Sequence, residues 1–354
     1  MTAKTDTTDT KADASGESRS TQRRLEGRQA QVIYWAGVLM ALFHLWVNTI
    51  GIMPEIQRNA IHFAFILFMG FIIYPVSRRF ARQARFIDYG LAVLAVVTGV
   101  YLVLFEDALH ARNEVPLLID LVFAGIAIVL MIDITRRTAG YIIPSIAAVF
   151  LGYALWYGKY MGGLWNFPGV TVERMLYRMY FAPDGIFGTI ATISSTFVFL
   201  FVLFAAFLLK SGAGDFIIRL SVAVMGRMIG GPAKMAVFAS GLMGSISGSA
   251  VANTVGTGSI TIPLMKRVGF SPRFAGGVEA AASTGGQLMP PIMGAGGFIM
   301  AEMTGLPYSR IMLIAIFPAF MYFFSVYMMI HWEAKKYNVV GERSAKPAMQ
   351  ILKE

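Results

Sequence analysis

The chain has 354 residues, of which 56% are hydrophobic and 14% are charged, and its mean hydropathy is +0.62. This composition excludes an ordinary soluble enzyme and predicts an all-α integral membrane protein that crosses the bilayer several times. The absence of cysteine excludes disulfides, thiolate metal sites and cysteine nucleophiles. The net charge of +10 comes from basic clusters beside apolar runs, which the positive-inside rule explains without nucleic-acid binding.

Residues 1–30 are predicted to form a disordered cytoplasmic tail, because their polar composition cannot bury enough apolar surface to fold. Four apolar runs follow, each near the length that a helix needs to cross the lipid bilayer, at about 31–50, 59–77, 86–105 and 116–133. Basic residues mark two of the connecting loops as cytoplasmic: they are Arg78, Arg79, Arg82, Arg85, Arg136 and Arg137. Residues 31–137 are therefore predicted to form a four-helix bundle with both ends inside.

Residues 138–210 are predicted to hold connecting helices, at about 141–156 and 186–210, and an outer segment between them. Aromatic and basic side chains of this segment are expected in the outer membrane interface: they are Trp165, Phe167, Arg174, Tyr177, Arg178, Tyr180 and Phe181. An interfacial linker is the favoured interpretation, and a docking surface for an external partner is the alternative. An amphipathic helix is then predicted near the cytoplasmic face, around Arg219 and Arg227.

A hairpin is predicted over about residues 232–267, with one limb from Pro232 to Gly244, a turn through SISGSAVANT, and a return limb to Met265. Basic residues flank this segment on both sides, so both flanks are predicted to be cytoplasmic. The intervening length is only about thirty residues, whereas two full crossings need about forty. The sequence therefore predicts a re-entrant hairpin with limbs of about 20 Å, whose tip stops inside the membrane.

A broken helix is predicted over about residues 272–303. It begins at Pro272, is interrupted by TGGQLMPP and resumes near Ile292. Glycine and proline pairs remove backbone donors and free carbonyl groups, so this break and the hairpin tip are expected to meet at a similar depth. Such interrupted segments are typical of the binding site of a secondary transporter. A final helix at about 310–332 and a cytoplasmic tail at 333–354 follow, and the basic residues here are Lys335, Lys336, Arg343 and Lys346.

The hairpin tip and the helix break form the predicted ion and substrate site. A cation is the expected ligand, because a hard cation prefers hydroxyl and carbonyl oxygens, and no organic cofactor is expected. The predicted residues are Ser245, Ser247, Gly248, Ser249, Asn253, Thr254, Ser283, Thr284, Gly285, Gly286, Gln287 and Pro290. The alternative is that these small residues only serve tight helix packing. Glu279 has two open interpretations, a functional intramembrane carboxylate or the partner of a basic residue at the interface.

The motifs GGPAK, GSISGSAVANTVGTGSITIPLMKR and FAGGVEAAASTGGQLMPPIMGA resemble the large-subunit signature of tripartite ATP-independent periplasmic (TRAP) transporters, in particular fused TAXI-type permeases. Residues 31–137 resemble the small membrane subunit of that family, and residues 211–332 resemble the first repeat of the large, elevator-type subunit. The resemblance implies sodium-coupled symport of an organic anion of the carboxylate class across the inner membrane. It also implies a periplasmic substrate-binding protein as partner.

The sequence departs from the family in one respect, since it contains a single hairpin and a single broken helix where the family carries two inverted repeats. We therefore expect an N-terminal portion of a longer permease, completed by a second polypeptide or a second copy. A non-transporting membrane scaffold is the alternative. An intramembrane serine hydrolase is a remote one, because Ile246 occupies the position where G-x-S-x-G requires serine. The chain is accordingly not predicted to be an enzyme.

Overall fold

The computed structural model describes residues 23, 25–76, 85–112 and 115–339, and these residues form helices and no strand. The predicted all-α class is confirmed. Within the described ranges, seven helical segments are long and apolar enough to cross a membrane: Arg28–Thr49, Glu55–Ile73, Arg85–Ala111, Leu118–Ala139, Ile142–Tyr160, Thr189–Lys210 and Tyr308–Lys336. The chain divides into two compact units, Met1–Thr192 and Ile193–Glu354, which are described separately.

The first unit begins with four long helices, α1 (Arg28–Thr49), α2 (Glu55–Ile73), α3 (Arg85–Ala111) and α4 (Leu118–Ala139). The predicted helices are all present, but α2 begins and ends four residues earlier than predicted, and α3 and α4 each continue six residues beyond the predicted end. Backbone hydrogen bonding does not depend on hydropathy, so both helices continue through charged residues such as Glu106 and Arg136, beyond the apolar runs. Arg85 begins α3, whereas Arg78, Arg79 and Arg82 lie outside the described residues.

The predicted tail of residues 1–30 is wrong at its C-terminal end, because α1 begins at Arg28 and Arg23 is held against the bundle. The backbone N–H of Arg23 donates to the carbonyl of Ile73 at 2.8 Å, and its guanidinium lies 2.6 Å from the buried carboxylate of Asp88. Arg137 lies 2.6 Å from the other oxygen of that carboxylate. A buried Asp88 thus anchors this segment, while residues 1–22 and 24 lie outside the described part of the chain.

The first unit continues through α5 (Ile142–Gly152), a π-helical turn at 153–157, α6 (Val172–Phe181) and α7 (Thr189–Ile193). Tyr180 and Phe181 lie in the hydrophobic core with Leu102 and Ala124, and the interfacial position of this segment stays a prediction. The Tyr180 hydroxyl donates to the carbonyl of Thr98 at 2.8 Å. Both rings lie at the buried C-terminal end of α6, whereas Val172, Glu173 and Arg174 at its N-terminal end are exposed.

The second unit consists of α8 (Phe199–Lys210), α9 (Ala213–Met225), α10 (Gly231–Ser247), α11 (Ala250–Arg267), α12 (Pro272–Gly285), α13 (Ala295–Thr304) and α14 (Tyr308–Lys336). Its core contains many small side chains, among them Ala233, Ala236, Ala275, Ala282 and Ala334. Small residues let helix backbones approach closely, so α10, α11, α12 and α14 pack as one cluster.

The hairpin is present, but its limbs α10 and α11 have 17 and 18 residues. Each limb is therefore about 26 Å long, longer than predicted, and the length no longer argues against two crossings of about 30 Å. The re-entrant topology stays a prediction. The turn is shorter than predicted: Gly248 ends α10 with a φ of 61°, and the Ser249 hydroxyl caps α11 by accepting from the Ala252 N–H at 3.3 Å.

The helix break is also present, between the end of α12 at Gly285 and the start of α13 at Ala295. The broken helix thus resumes, as α13, three residues later than predicted. At the C-terminus, residues 333–336 are helical and the carbonyl of Val339 accepts from the Gly230 N–H at 3.0 Å, so the start of the predicted tail is folded. Arg343 and Lys346 lie outside the described residues.

Candidate functional site

The hairpin tip contacts the helix break, as the sequence predicts. The Ile292 N–H, in the break, donates to the carbonyl of Ser245 at 3.1 Å. Gly248 faces the carbonyl of Met293 so closely that a Cβ on Gly248 would overlap it. Glycine is therefore required at the tip both for its positive φ and for this backbone contact.

A second close approach joins the end of α10 to the end of α12. A Cβ on Gly244 would collide with the Cα of Gly286, and the Asn253 amide nitrogen would lie 3.1 Å from the same Cβ. The two glycines thus bring the hairpin and the broken helix into backbone contact. This contact positions the polar side chains that lie one to two turns away.

Glu279, near the middle of α12, is fully buried beneath this contact. Four hydroxyl groups surround its carboxylate, those of Ser240, Thr257, Thr261 and Ser283. The Glu279 Oε1 atom lies 3.0 Å from Ser240 Oγ, 2.5 Å from Thr257 Oγ1 and 3.2 Å from Ser283 Oγ. Thr261 Oγ1 donates to Oε2. Three helices therefore converge on one carboxylate.

Among the described residues, the carboxylate has no basic partner. Within the described part of the chain, no lysine, arginine or histidine nitrogen lies within 4.0 Å of a Glu279 oxygen. The interpretation of Glu279 as the partner of a basic residue is thus wrong for the residues that the structure describes. Hydroxyl groups satisfy its hydrogen-bonding capacity but bring no charge, and a buried carboxylate without a counter-charge is costly.

Asn253 connects the hairpin tip to this carboxylate. Its side chain is 1% exposed, and its Nδ2 donates to the backbone carbonyl of Ser240 at 2.8 Å. The Asn253 Oδ1 atom is buried and accepts no hydrogen bond from the described residues. A buried amide oxygen without a hydrogen-bond donor is unusual in a folded protein. Its free lone pairs could coordinate a cation or accept a hydrogen bond from a ligand.

The other predicted site residues divide into two groups. Ser283 and Gly286 lie with Asn253 and Glu279 in the buried cluster. Several hydroxyls instead bond to the backbone of their own helix: Ser245 to Leu242, Thr254 to Ala250, and Thr284 to Ala280. Ser247 accepts from the Ser249 N–H at 3.4 Å, and Gly285 packs against the ring of Tyr322. These residues support the hairpin and the break without contacting Glu279.

Gln287 and Pro290 belong to the chain between α12 and α13. The Gln287 carbonyl accepts from the Gly294 N–H at 2.8 Å, which fixes the entry into α13. The exposed Gln287 side chain lines a cavity of about 510 Å³ with the first residues of α13 and one face of α14. Its lining includes Met293, Gly296, Met300, Ile314 and Pro318.

Sequence reasoning missed Ser240, Thr257 and Thr261. A usable signal exists, because Asn253, Thr257 and Thr261 follow one another at intervals of four residues and so lie on one face of α11. That polar face is unexpected beside the apolar side chains of a membrane protein. The position of Ser240 on the facing helix could not be inferred in the same way, since it depends on how α10 is rotated.

A comparison with protein families matches residues 122–353 to the tripartite ATP-independent periplasmic transporter, DctM component. The chain belongs to this family. It is a family of transporter permeases, not of enzymes, and the predicted membership in the TRAP transporters is confirmed. The match begins within α4, so residues 1–121, which include most of the small-subunit-like region, lie outside it.

Three relatives illustrate the similarity. The C4-dicarboxylate TRAP transporter large permease protein of Vibrio cholerae is 40% identical over 91 residues, which are 26% of this chain and 20% of the relative. The 2,3-diketo-L-gulonate TRAP transporter large permease protein of Escherichia coli is 27% identical over 152 residues, 43% of this chain and 35% of the relative. A putative TRAP transporter large permease protein of Haemophilus influenzae is 27% identical over 140 residues, which are 40% of this chain and 32% of the relative. The chain thus spans about a third or less of these curated relatives.

Proposed function

We propose that this chain is the permease component of a sodium-coupled TRAP transporter of the inner membrane, which takes up an organic anion of the carboxylate class. The observation that carries the proposal is the buried Glu279 carboxylate, whose partners among the described residues are hydroxyl groups and include no basic side chain. A monovalent cation would supply the missing charge. The Asn253 Oδ1 atom is buried and accepts no hydrogen bond from the described residues, and Asn253 Nδ2 donates to the Ser240 carbonyl, so this amide oxygen is proposed as a further neutral ligand.

The ligand set has the chemistry that sodium requires. Hard cations prefer oxygen ligands, and the cluster provides a carboxylate, an amide oxygen and several hydroxyls. Because these atoms come from α10, α11 and α12, a bound cation would hold the hairpin and the broken helix together. Loss of the cation would leave the carboxylate uncompensated and favour separation of the two elements, which is how ion binding would be coupled to transport.

The substrate site is proposed to be the cavity of about 510 Å³ beside the break. Gln287 lines this cavity, and so do Ala295 and Gly296 in the first turn of α13, whose N–H groups have no partner within the helix. Such N–H groups favour an anion. The names of two relatives refer to C4-dicarboxylates and to 2,3-diketo-L-gulonate, which are organic anions. A periplasmic substrate-binding protein would deliver the substrate, and the TAXI-type subfamily remains part of the proposal.

The rest of the cavity wall is proposed to come from a second repeat, supplied by further sequence, by another polypeptide or by a second copy. We therefore expect the chain expressed alone to insert into membranes without transporting. The check is uptake of C4-dicarboxylates into liposomes with a sodium gradient and a cognate binding protein. Strong accumulation by the 354-residue chain would contradict this expectation. An absence of uptake by the completed permease would favour the non-transporting scaffold.

The cation site is tested on the purified chain by thermal unfolding in sodium, potassium or choline chloride at equal ionic strength. A ligand that binds only the folded state adds about 1.4 kcal/mol when its concentration is ten times its dissociation constant. We expect sodium to stabilise the wild type more than choline does, and Glu279→Gln to abolish the difference. The Gln side chain keeps the volume and removes the charge. Equal stabilisation of the wild type by sodium and choline would refute the site.

A further inference from the structure

Lys234 lies in the first turn of α10 and is 2% exposed. Its Nζ atom is 3.0 Å from Nδ1 of His331 and 4.4 Å from the ring centroid of Tyr327. Within the described ranges, no carboxylate oxygen lies within 4.0 Å of this ammonium group. An ammonium group has three donors and no acceptor. The imidazole of His331 accepts one hydrogen bond and the Tyr327 ring contributes a cation–π contact, so donors remain for an anionic acceptor.

Lys234 also lines one end of a cavity of about 230 Å³. The remaining lining is almost entirely apolar and aromatic, with Val237, Phe238 and Leu242 from α10 and Phe320, Phe323 and Phe324 from α14. On each helix these residues recur at intervals of three or four, so two facing stripes enclose a trough. From Lys234 to Leu242 the trough follows α10 for about 12 Å.

The cationic end of the trough lies beside the C-terminal end of α14. The Gly230 N–H donates to the carbonyl of Val339 at 3.0 Å, just before α10 begins. Lys335, one turn beyond His331, is exposed at the same end and adds positive charge. Basic residues at helix ends mark the cytoplasmic interface, whereas the other end of the trough reaches Met289 in the helix break. The trough thus runs from the interface toward the membrane interior.

We propose that this trough binds one anionic phospholipid of the phosphatidylglycerol type. Its phosphate accepts from Lys234, and one acyl chain fills the apolar body between α10 and α14. A phosphatidylcholine headgroup is less suitable, because it carries a positive charge close to its phosphate and so approaches an ammonium group unfavourably. Phe320 and Phe324 are 62% and 49% exposed, so the trough opens to the surface, where bilayer lipid can enter. The proposal is independent of the cation site at Glu279.

The test is lipid retention by the purified full chain, measured by native mass spectrometry after incubation with phosphatidylglycerol or phosphatidylcholine of the same acyl length. We expect one phosphatidylglycerol per chain to be retained in preference to phosphatidylcholine. Lys234→Met should lower this retention at least tenfold, and Lys234→Arg, which keeps the charge, should preserve most of it. Lys336→Met is the matched control, because Lys336 is exposed at the same helix end but does not line the trough.

A second variant tests the apolar part and does not depend on the folding of Lys234→Met. A Cβ on Gly241 would lie 3.4 Å from the ring of Phe323 and 3.8 Å from Met289, which is ordinary contact. Gly241→Leu should therefore fold and fill the trough, and it should lower phosphatidylglycerol retention. Equal retention of both lipids by the wild type would overturn the proposal, as would undiminished phosphatidylglycerol retention in Gly241→Leu. The first result would point instead to an acidic protein segment as the partner of Lys234.

Discussion

Thr257 Oγ1 of α11 lies 2.5 Å from Glu279 Oε1 of α12, and both side chains are fully buried. The hydroxyl of Thr257 is also 2.8 Å from the carbonyl of Asn253, one turn earlier on its own helix, and 3.0 Å from Ser240 Oγ. Either hydroxyl can donate in the contact between Thr257 and Ser240. The one hydroxyl hydrogen of Thr257 is therefore shared between two acceptors, the Glu279 carboxylate of α12 and the Asn253 carbonyl of α11.

Replacing this hydroxyl with a methyl group is expected to destabilise the chain. Thr257→Val keeps nearly the same volume and removes a donor to a buried carboxylate, which costs about 1–3 kcal/mol. Thr254→Val is the matched control, because the Thr254 hydroxyl bonds only to the carbonyl of Ala250 on the same helix. Chemical denaturation should thus separate the two variants by more than about 1 kcal/mol, and similar unfolding midpoints would contradict the importance of Thr257.

The ion pairs of the first unit are expected to differ strongly in their contribution to stability. Asp88 is buried between Arg23 and Arg137, so Asp88→Asn removes the buried carboxylate that two guanidinium groups share and should cost about 3–5 kcal/mol. Asp184→Asn removes an exposed pair with Arg178, whose side chains are both 61% exposed, and should cost at most about 1 kcal/mol. Thermal unfolding of both variants checks this ranking, which equal losses would contradict.

Glycine at position 244 is expected to be indispensable for the contact between α10 and α12. Gly244→Ala places a methyl group against the Cα of Gly286, where backbone must move, and should destabilise by about 1–3 kcal/mol. Gly256→Ala, on α11, meets nothing within 4 Å and should instead stabilise by about 0.5–1 kcal/mol, since alanine favours a helix. Opposite shifts in the unfolding midpoint are the predicted result. Shifts of the same sign would indicate that the backbone contact is readily relaxed.

The topology of the hairpin can be tested with single cysteines, since the chain has none. Lys234 is a poor labelling site because it is buried, whereas Met228 is 40% exposed and Lys266 is also exposed. Met228→Cys and Lys266→Cys should react with an impermeant thiol reagent from the same side of the membrane. Labelling from opposite sides would exclude both a re-entrant hairpin and a hairpin whose two limbs cross the membrane.

The tip distinguishes a re-entrant hairpin from two full crossings. Val251, in the first turn of α11, is 76% exposed. If the tip stops inside the membrane, the thiol of Val251→Cys should not react with a bulky impermeant reagent on one side of the membrane. That side is opposite to the one from which Lys266→Cys is labelled. Rapid labelling from that opposite side would show that both limbs cross, as their length of about 26 Å permits. Protection by a small permeant reagent added first serves as the control for thiol reactivity.

The sequence by itself determined the helical class, most helix positions, the hairpin and the break. These features depend on local properties: apolar runs of the length of a bilayer, and glycine and proline residues that end helices. Gly248 and Pro272 were identified correctly as a turn residue and a first-turn residue for this reason. Helix ends were less predictable, because polar residues continue α3, α4 and α14 beyond the apolar runs.

Only the tertiary structure decided which side chains meet. Glu279 is 39 residues from Ser240 and 22 from Thr257, and their contact depends on the rotation and relative height of three helices. Apolar content averaged over a span carries no information on that rotation. The same reason explains why Tyr180 is buried in the core of the first unit and why Lys234, predicted as a flanking charge, is buried beside His331. Side-chain packing between helices sets these positions, and local sequence patterns do not specify it.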